Sequence, residues 1–228
     1  MTAAEARERL VRALRDEALV IGEVTLTSGQ VAQYLVDVKR AVLLREGFLA
    51  AGALIAEQAR ALGATAVGGL TMGADPLACA ALAGGADVKA FFVRKEAKDH
   101  GLSRRIEGPL LVAGADRCLI VEDVVTTGGS TIKAIEAVRS EGLEVCGVVA
   151  ICDRLAGGAD AIRAAAGAPY VALTTIDDVY PGRPDKESRG RRPARVTSAG
   201  RRAACRRRGR RPCRRGRAAR GRCGRPAA

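Results

Sequence analysis

The stretch L-I-V-E-D-V-V-T-T-G-G-S, residues 119–130, decides how this chain is read. An apolar run ends in two adjacent acids, Glu122 and Asp123. A loop of small donors follows, Thr126, Thr127, Gly128, Gly129 and Ser130, and opens into the helical pattern T-I-K-A-I-E-A-V-R-S-E-G at 131–142. A continuous apolar run, then a loop, then a helix is the pattern of a strand in a parallel sheet covered on both faces. In such sheets a ligand sits beyond the carboxyl ends of the strands.

The loop chemistry says what kind of ligand. Gly128 and Gly129 lack a Cβ and let a ligand approach the backbone. The free N–H groups and positive dipole end of the following helix suit a phosphate, and Thr126, Thr127, Ser130 and Thr131 add hydroxyl donors. Two carboxylates beside a phosphate repel it unless they have another task. They can accept hydrogen bonds from sugar hydroxyls, or hold a metal through water. The demand is for a phosphate, a diol and a Mg²⁺, which a ribose 5-phosphate moiety meets. Glu122-Asp123 alone reads equally well as a solvated strand end; the twelve residues together do not. Neither G-x-x-x-x-G-K-[ST] nor G-x-G-x-x-G is present.

The pattern extends outward in both directions. Residues 3–18 and 47–63 read as helices, the second stopped by Gly63. Residues 20–29 and 34–38 read as two strands around a Ser28-Gly29 turn. Strands are expected at 66–70, 89–93, 117–123, 144–154 and 170–176, with helices at 76–83, 131–142 and 159–167. Residues 94–108 read as a long polar surface loop. Strand and helix alternate, so an α/β fold with a parallel sheet is expected, and the polar strand ends Gly69–Asp75, Arg94–His100, Glu122–Ser130 and Asp153-Arg154 converge at one edge.

Bulk charge misleads. The formal net charge is +13, but residues 186–228 hold 17 Arg and one Lys against one acid, and residues 1–185 sum to −4. The acidic body gives no sign of a nucleic-acid binder. Residues 186–228 are low-complexity Arg/Gly/Pro/Ala and are expected to be disordered, since they cannot bury enough surface to offset chain entropy. Their charge would bind any polyanion at low salt. They hold no aromatic residue to stack on bases, and their composition fits better a GC-rich frame read past its end. Cys79, Cys118, Cys146 and Cys152 read as small buried hydrophobes in a reducing compartment. Cys205, Cys213 and Cys223 fit no zinc spacing. The N-terminus is charged from Glu5 onward, unlike a signal peptide, and no apolar stretch reaches about 18 residues, so neither export nor a membrane span is expected.

V-E-D-V-V-T-T-G-G-S resembles the ribose-phosphate motif of the type I phosphoribosyltransferases, which use 5-phosphoribosyl 1-diphosphate (PRPP). R-K-E-A-K-D-H-G (94–101) resembles the flexible catalytic loop of the orotate phosphoribosyltransferase family. V-T-L-T-S-G-Q-V-A-Q-Y-L-V-D (24–37) resembles its N-terminal hairpin, V-G-G-L-T-M-G-A-D-P-L-A (67–78) its pyrophosphate loop, and C-D-R (152–154) adds a further match. The resemblance implies a phosphoribosyltransferase domain over 1–185 with a small N-terminal hood. It implies PRPP contacts at Arg94, Lys95, Lys98, His100, Glu122, Asp123, Val124, Val125, Thr126, Thr127, Gly128, Gly129 and Ser130, with Lys98, His100 and Asp123 catalytic. Orotate contacts are implied at Thr126 and Arg154. It further implies Mg²⁺ with no confident direct protein ligand, a cytoplasmic homodimer with shared active sites, and neither membrane nor nucleic-acid partners. A purine phosphoribosyltransferase and a PRPP-binding regulator on the same fold are the rivals.

Three positions depart from the family pattern. Thr27 and Met72 stand where many members have Lys, and Leu35 replaces an aromatic beside Tyr34. Lys39 or Arg40 could supply the missing cation.

Overall fold

The computed structural model describes residues 1–25, 29, 31–96 and 105–186. Lys98, His100, Thr27 and the whole Arg-rich segment from Glu187 onward lie outside the described residues, and with them the expectations made there.

The chain begins with α1 (Ala3–Ala13), capped by Thr2 and Glu5 in a reciprocal capping box. The expected helix to residue 18 ends instead in a π-helical turn at Leu14–Ala18. Then β1 (Leu19–Thr25) and β2 (Val31–Val36) pair antiparallel as a separate hairpin, the hood. A short helix unforeseen in the sequence, α2 (Val38–Val42), follows immediately, because Asp37 caps it by accepting from the Lys39 N–H.

The body alternates strand and helix: α3 (Arg45–Ala61), β3 (Ala66–Leu70), α4 (Asp75–Ala83) and β4 (Lys89–Val93). Next come β5 (Ile106–Glu107), β6 (Arg117–Val125), α5 (Gly129–Ser140), β7 (Glu144–Asp153), α6 (Gly158–Ala166), β8 (Tyr170–Thr175) and α7 (Ile176–Val179). The six-stranded sheet runs β5-β4-β3-β6-β7-β8, parallel except for β5, which is antiparallel to β4. The loop expected over 94–108 therefore returns to the sheet edge.

β6 explains why the sheet needs helices on both faces. Its consecutive residues alternate between two cores. Leu119 and Val121 join one with Leu10, Ile55 and Leu77 from the helices α1, α3 and α4. Cys118 and Ile120 join the other with Ile135 and Val138 of α5 and Ile162 of α6. Cys118, Cys146 and Cys152 are buried as expected; Cys79, on α4, is exposed.

The winding reverses between β3 and β6. From β3 the chain moves outward to β4, then returns to β6 on the other side of β3. The loops after those strands, 71–74 and 126–128, therefore face one crevice, where open α/β sheets bind ligands.

Candidate active site

β6 continues two residues beyond its expected end, through Val124 and Val125, so both acids lie inside the strand with apolar residues on either side. They differ in environment. Glu122 is only 5% exposed and accepts a hydrogen bond from the Thr131 hydroxyl, Oγ1 to Oε2 2.9 Å. Burial first, then the neighbouring Asp123, pushes its carboxyl up to about 8. Asp123 is partly open. Its Oδ1 accepts from the Val124 N–H at 2.8 Å, and its Oδ2 lies 3.5 Å from Lys39 Nζ. Lys39 also pairs with Asp37 at 2.7 Å. That hydrogen bond, and the Asp123 charge after the opposing cost of burial, raise the lysine's pKa.

The loop after β3 closes on the same acid. A Cβ added at Gly73 would lie 2.6 Å from Asp123 Oδ1, so glycine is what lets this loop pass the carboxylate. The preceding Thr71–Met72 peptide is cis, and Met72 is exposed.

Residues 126–128 turn into α5. Gly128 takes φ +84°, and a side chain there would meet Ile162 at 2.8 Å. Helix α5 starts at Gly129 without a side-chain cap and without an acid in its first turn. Its leading N–H groups therefore face the crevice end as anion donors. Thr127, Gly129 and Ser130 are exposed there and Thr126 is half-buried. Thr131 departs from expectation. It is 1% exposed, and its hydroxyl is committed to Glu122 rather than offered to a phosphate. Val124 and Val125 point their side chains into the two cores, so only their backbone remains for a ligand.

Arg154 stands just past β7. Its N–H donates to the Val125 carbonyl at 2.8 Å, which ties it to the end of β6. Its guanidinium lies over the Tyr34 ring of the hood, 5.2 Å from the centroid. Asp153 is buried and accepts from the Leu155 N–H and the Tyr170 hydroxyl, at 2.7 and 2.8 Å. Tyr34 was recognisable only as an aromatic in a strand; its place under Arg154 depends on the hood folding over the sheet end.

Arg94 and Lys95 stand at the root of the basic loop, both exposed. The Arg94 guanidinium reaches Glu107 of β5 at 3.4 Å, and its carbonyl accepts from the Arg105 side chain. The structure thus brings Asp123, Lys39, the α5 N-terminus and Arg154 to one edge and puts Arg94 and Lys95 at the foot of the adjacent loop.

An acid, an uncapped helix N-terminus and a glycine loop meet across the sheet reversal, the layout of a type I phosphoribosyltransferase fold. The Phosphoribosyl transferase domain family model matches residues 41–164. Orotate phosphoribosyltransferase of Corynebacterium glutamicum is 48% identical over 177 residues, 77% of this chain and 95% of that one. The relative from Streptomyces avermitilis is 48% identical over 170 residues, covering 73% and 92%. Mycobacterium tuberculosis orotate phosphoribosyltransferase in complex with 5-phospho-alpha-D-ribosyl 1-diphosphate superposes with a TM-score of 0.66 at 38% identity, covering 76% of this chain and 98% of that one. The chain belongs to the orotate phosphoribosyltransferase family. Among the described residues no helix is long and apolar enough to cross a membrane.

Proposed function

We propose that the chain transfers the 5-phosphoribosyl group of PRPP to a ring nitrogen of orotate, giving orotidine 5′-phosphate and pyrophosphate in de novo UMP synthesis. The observation that carries this reading is the placement of Asp123, the uncapped α5 N-terminus and Arg154 around one sheet reversal.

The C1–O bond breaks with its electron pair leaving on the diphosphate oxygen, while the orotate nitrogen forms the C1–N bond and its N–H proton passes to the departing diphosphate. Asp123 and Glu122 accept hydrogen bonds from the ribose diol. The N–H groups of Gly129 and Ser130 and the hydroxyls of Thr126, Thr127 and Ser130 hold the 5-phosphate, with backbone support from Val124, Val125 and Gly128. Arg154 pairs with the orotate carboxylate or a ring carbonyl, with Thr126 as second contact. Arg94, Lys95, Lys98 and His100 offset the charge that develops on the leaving diphosphate.

The described residues hold no group of three or more metal-ligating side chains, only the adjacent pair Glu122 and Asp123 at the crevice. That set fits Mg²⁺, which keeps several waters and takes one or two carboxylates plus substrate oxygens. Asp123, the more open acid, would hold it. Bound there, Mg²⁺ supplies positive charge to the diphosphate. The resemblance of residues 94–101 to a loop that closes over a neighbouring subunit supports a homodimer with shared sites, and the pathway supports a cytoplasmic location.

Mixing the protein with PRPP, Mg²⁺ and orotate and following loss of orotate absorbance tests this. Turnover with a purine base but not orotate would replace the reading by a purine phosphoribosyltransferase. PRPP binding without turnover of either base would leave a PRPP-responsive regulator.

A further inference from the structure

The last described segment, Tyr180–Lys186, packs against Tyr34 of the hood. Arg183 is buried there, its side chain 3% exposed. It holds Asp177 at 3.0 Å through Nε and Asp185 at 2.9 Å through an Nη atom. Backbone bonds from the Arg183 N–H to the Tyr180 carbonyl and from the Lys186 N–H to the Arg183 carbonyl close the turn. The Asp185 carboxylate also accepts from the Tyr34 hydroxyl, 3.1 Å to Oδ1 and 3.2 Å to Oδ2. Tyr180 packs edge-on against Tyr34, with ring centroids 5.4 Å apart. Tyr34 is 3% exposed, and its ring carries the Arg154 guanidinium.

We propose that Asp185 is a positioning residue for Arg154, acting through Tyr34. The inference rests on the reading of Arg154 as the orotate contact. A guanidinium stacked on a ring has its plane fixed by that ring, and that plane sets how it meets a planar carboxylate. The stack is only as well placed as the ring beneath it. Tyr34 comes from the hood, a two-stranded hairpin separate from the main sheet, and such hairpins have little stability of their own. Asp185 pins the far end of that ring to a turn that is itself fixed by the buried Arg183. Asp177 keeps one partner on Arg183 when Asp185 is altered, so the turn's buried charge is never left bare.

Steady-state kinetics of the full chain test this with Tyr34→Phe, Asp185→Ala and the double variant. Tyr34→Phe keeps the ring and removes only the hydroxyl. Each single variant is expected to raise KM for orotate about fivefold, with KM for PRPP and kcat within about twofold of wild type. The double variant is expected to match the worse single one, since both remove the same link. Tyr34→Leu, which also removes the stack, is expected to raise KM for orotate further. An unchanged orotate KM in Tyr34→Phe would overturn the inference. So would effects that multiply in the double variant, or an equal rise in both KM values, which marks general loosening. A wild-type protein that binds PRPP but does not consume orotate would instead sink the functional reading beneath it.

Discussion

Lys39 Nζ sits between two carboxylates, 2.7 Å from Asp37 Oδ1 at the end of the hood and 3.5 Å from Asp123 Oδ2 at the end of β6. One lysine thus joins the hairpin to the acid assigned to the ribose. Its pKa is raised, the Asp37 hydrogen bond contributing most, so the ammonium persists at any neutral pH. A diphosphate bound beside Asp123 would find a cation already there. The lysine is partly exposed and its pair with Asp123 is long, so solvent screening limits the gain to about 1 kcal/mol. Lys39→Ala is expected to raise KM for PRPP about fivefold and leave KM for orotate nearly unchanged. Titration of PRPP into the variant without orotate checks the same loss by calorimetry.

Gly73 supplies a sharper test of how closely the two loops meet. An added Cβ would press on Asp123 at 2.6 Å, and that carboxylate is already held by the Val124 N–H and Lys39. Relief requires moving the glycine loop or the acid. A displacement of about 1 Å near reacting atoms costs on the order of 100-fold in rate. Gly73→Ala is therefore expected to lose about that much kcat/KM for PRPP while circular dichroism shows a folded protein. Near-wild-type activity would mean that the loop moves freely from Asp123.

Much of this was legible in the sequence because it is local. β3, β4 and the helices around β6 announce themselves by apolar runs and helical spacing, and the donor loop 126–130 is contiguous. What was not legible depends on partners far along the chain. The end of β6 was placed at Asp123, two residues early, because charge normally closes a strand; here Thr131 and Lys39 satisfy Glu122 and Asp123, and the strand runs on through Val124 and Val125. The five residues of α2 and the four of α7 are too short for a periodic signal, and their caps, Asp37 and Thr175, resemble ordinary loop residues. β5 is two residues long and exists only through pairing with Phe92 and Val93. Thr131 read as a phosphate donor because its neighbours are; only the helix phase turns its hydroxyl inward. Nothing local connects Tyr34 to Asp185, 151 residues away.

The Thr131–Glu122 bond is expected to matter to catalysis and not merely to folding. A hydrogen bond to a charged acceptor contributes about 1.5–3 kcal/mol, and here it favours the ionised carboxylate that can accept from a diol. Thr131→Val keeps the shape and removes the donor; Thr131→Ser keeps the donor. The valine variant is expected to lose about tenfold in kcat/KM for PRPP and the serine variant to recover most of it. Equal loss in both would assign the effect to packing of the methyl group.

Glu122 also makes stability depend on pH in a stated direction. Its carboxyl is raised from 4.5 to about 8, burial being the main cause. The folded chain therefore holds a proton there that the unfolded chain releases. The stabilisation is fully present below about pH 4.5, declines as pH rises and is gone above about pH 8. Glu122→Gln removes the titration, so the melting temperature of wild type relative to this variant is expected to fall between about pH 5 and pH 8. Activity is expected to run the other way, since the ionised form, with both oxygens as acceptors, would hold the ribose hydroxyls better. Wild-type kcat/KM for PRPP is expected to climb with a midpoint near pH 8 and to level off only about one pH unit higher. A melting difference that stays flat across this range would place the proton elsewhere.

The Arg-rich segment can be removed without touching any contact described above, provided the cut respects the closing turn. Lys186 donates its backbone N–H to Arg183, and Asp185 holds both Arg183 and Tyr34. A chain ending at Lys186 keeps all three. It is expected to retain kcat and both KM values within about twofold, whereas a chain ending at Pro184 loses Asp185 and should show the raised orotate KM of Asp185→Ala. The 17 Arg of residues 186–228 predict a second difference. The full chain should be retained on a polyanionic column at low salt and released steeply as salt rises, and the chain ending at Lys186 should not be retained. Loss of turnover on truncation at Lys186 would show that the segment takes part in the reaction.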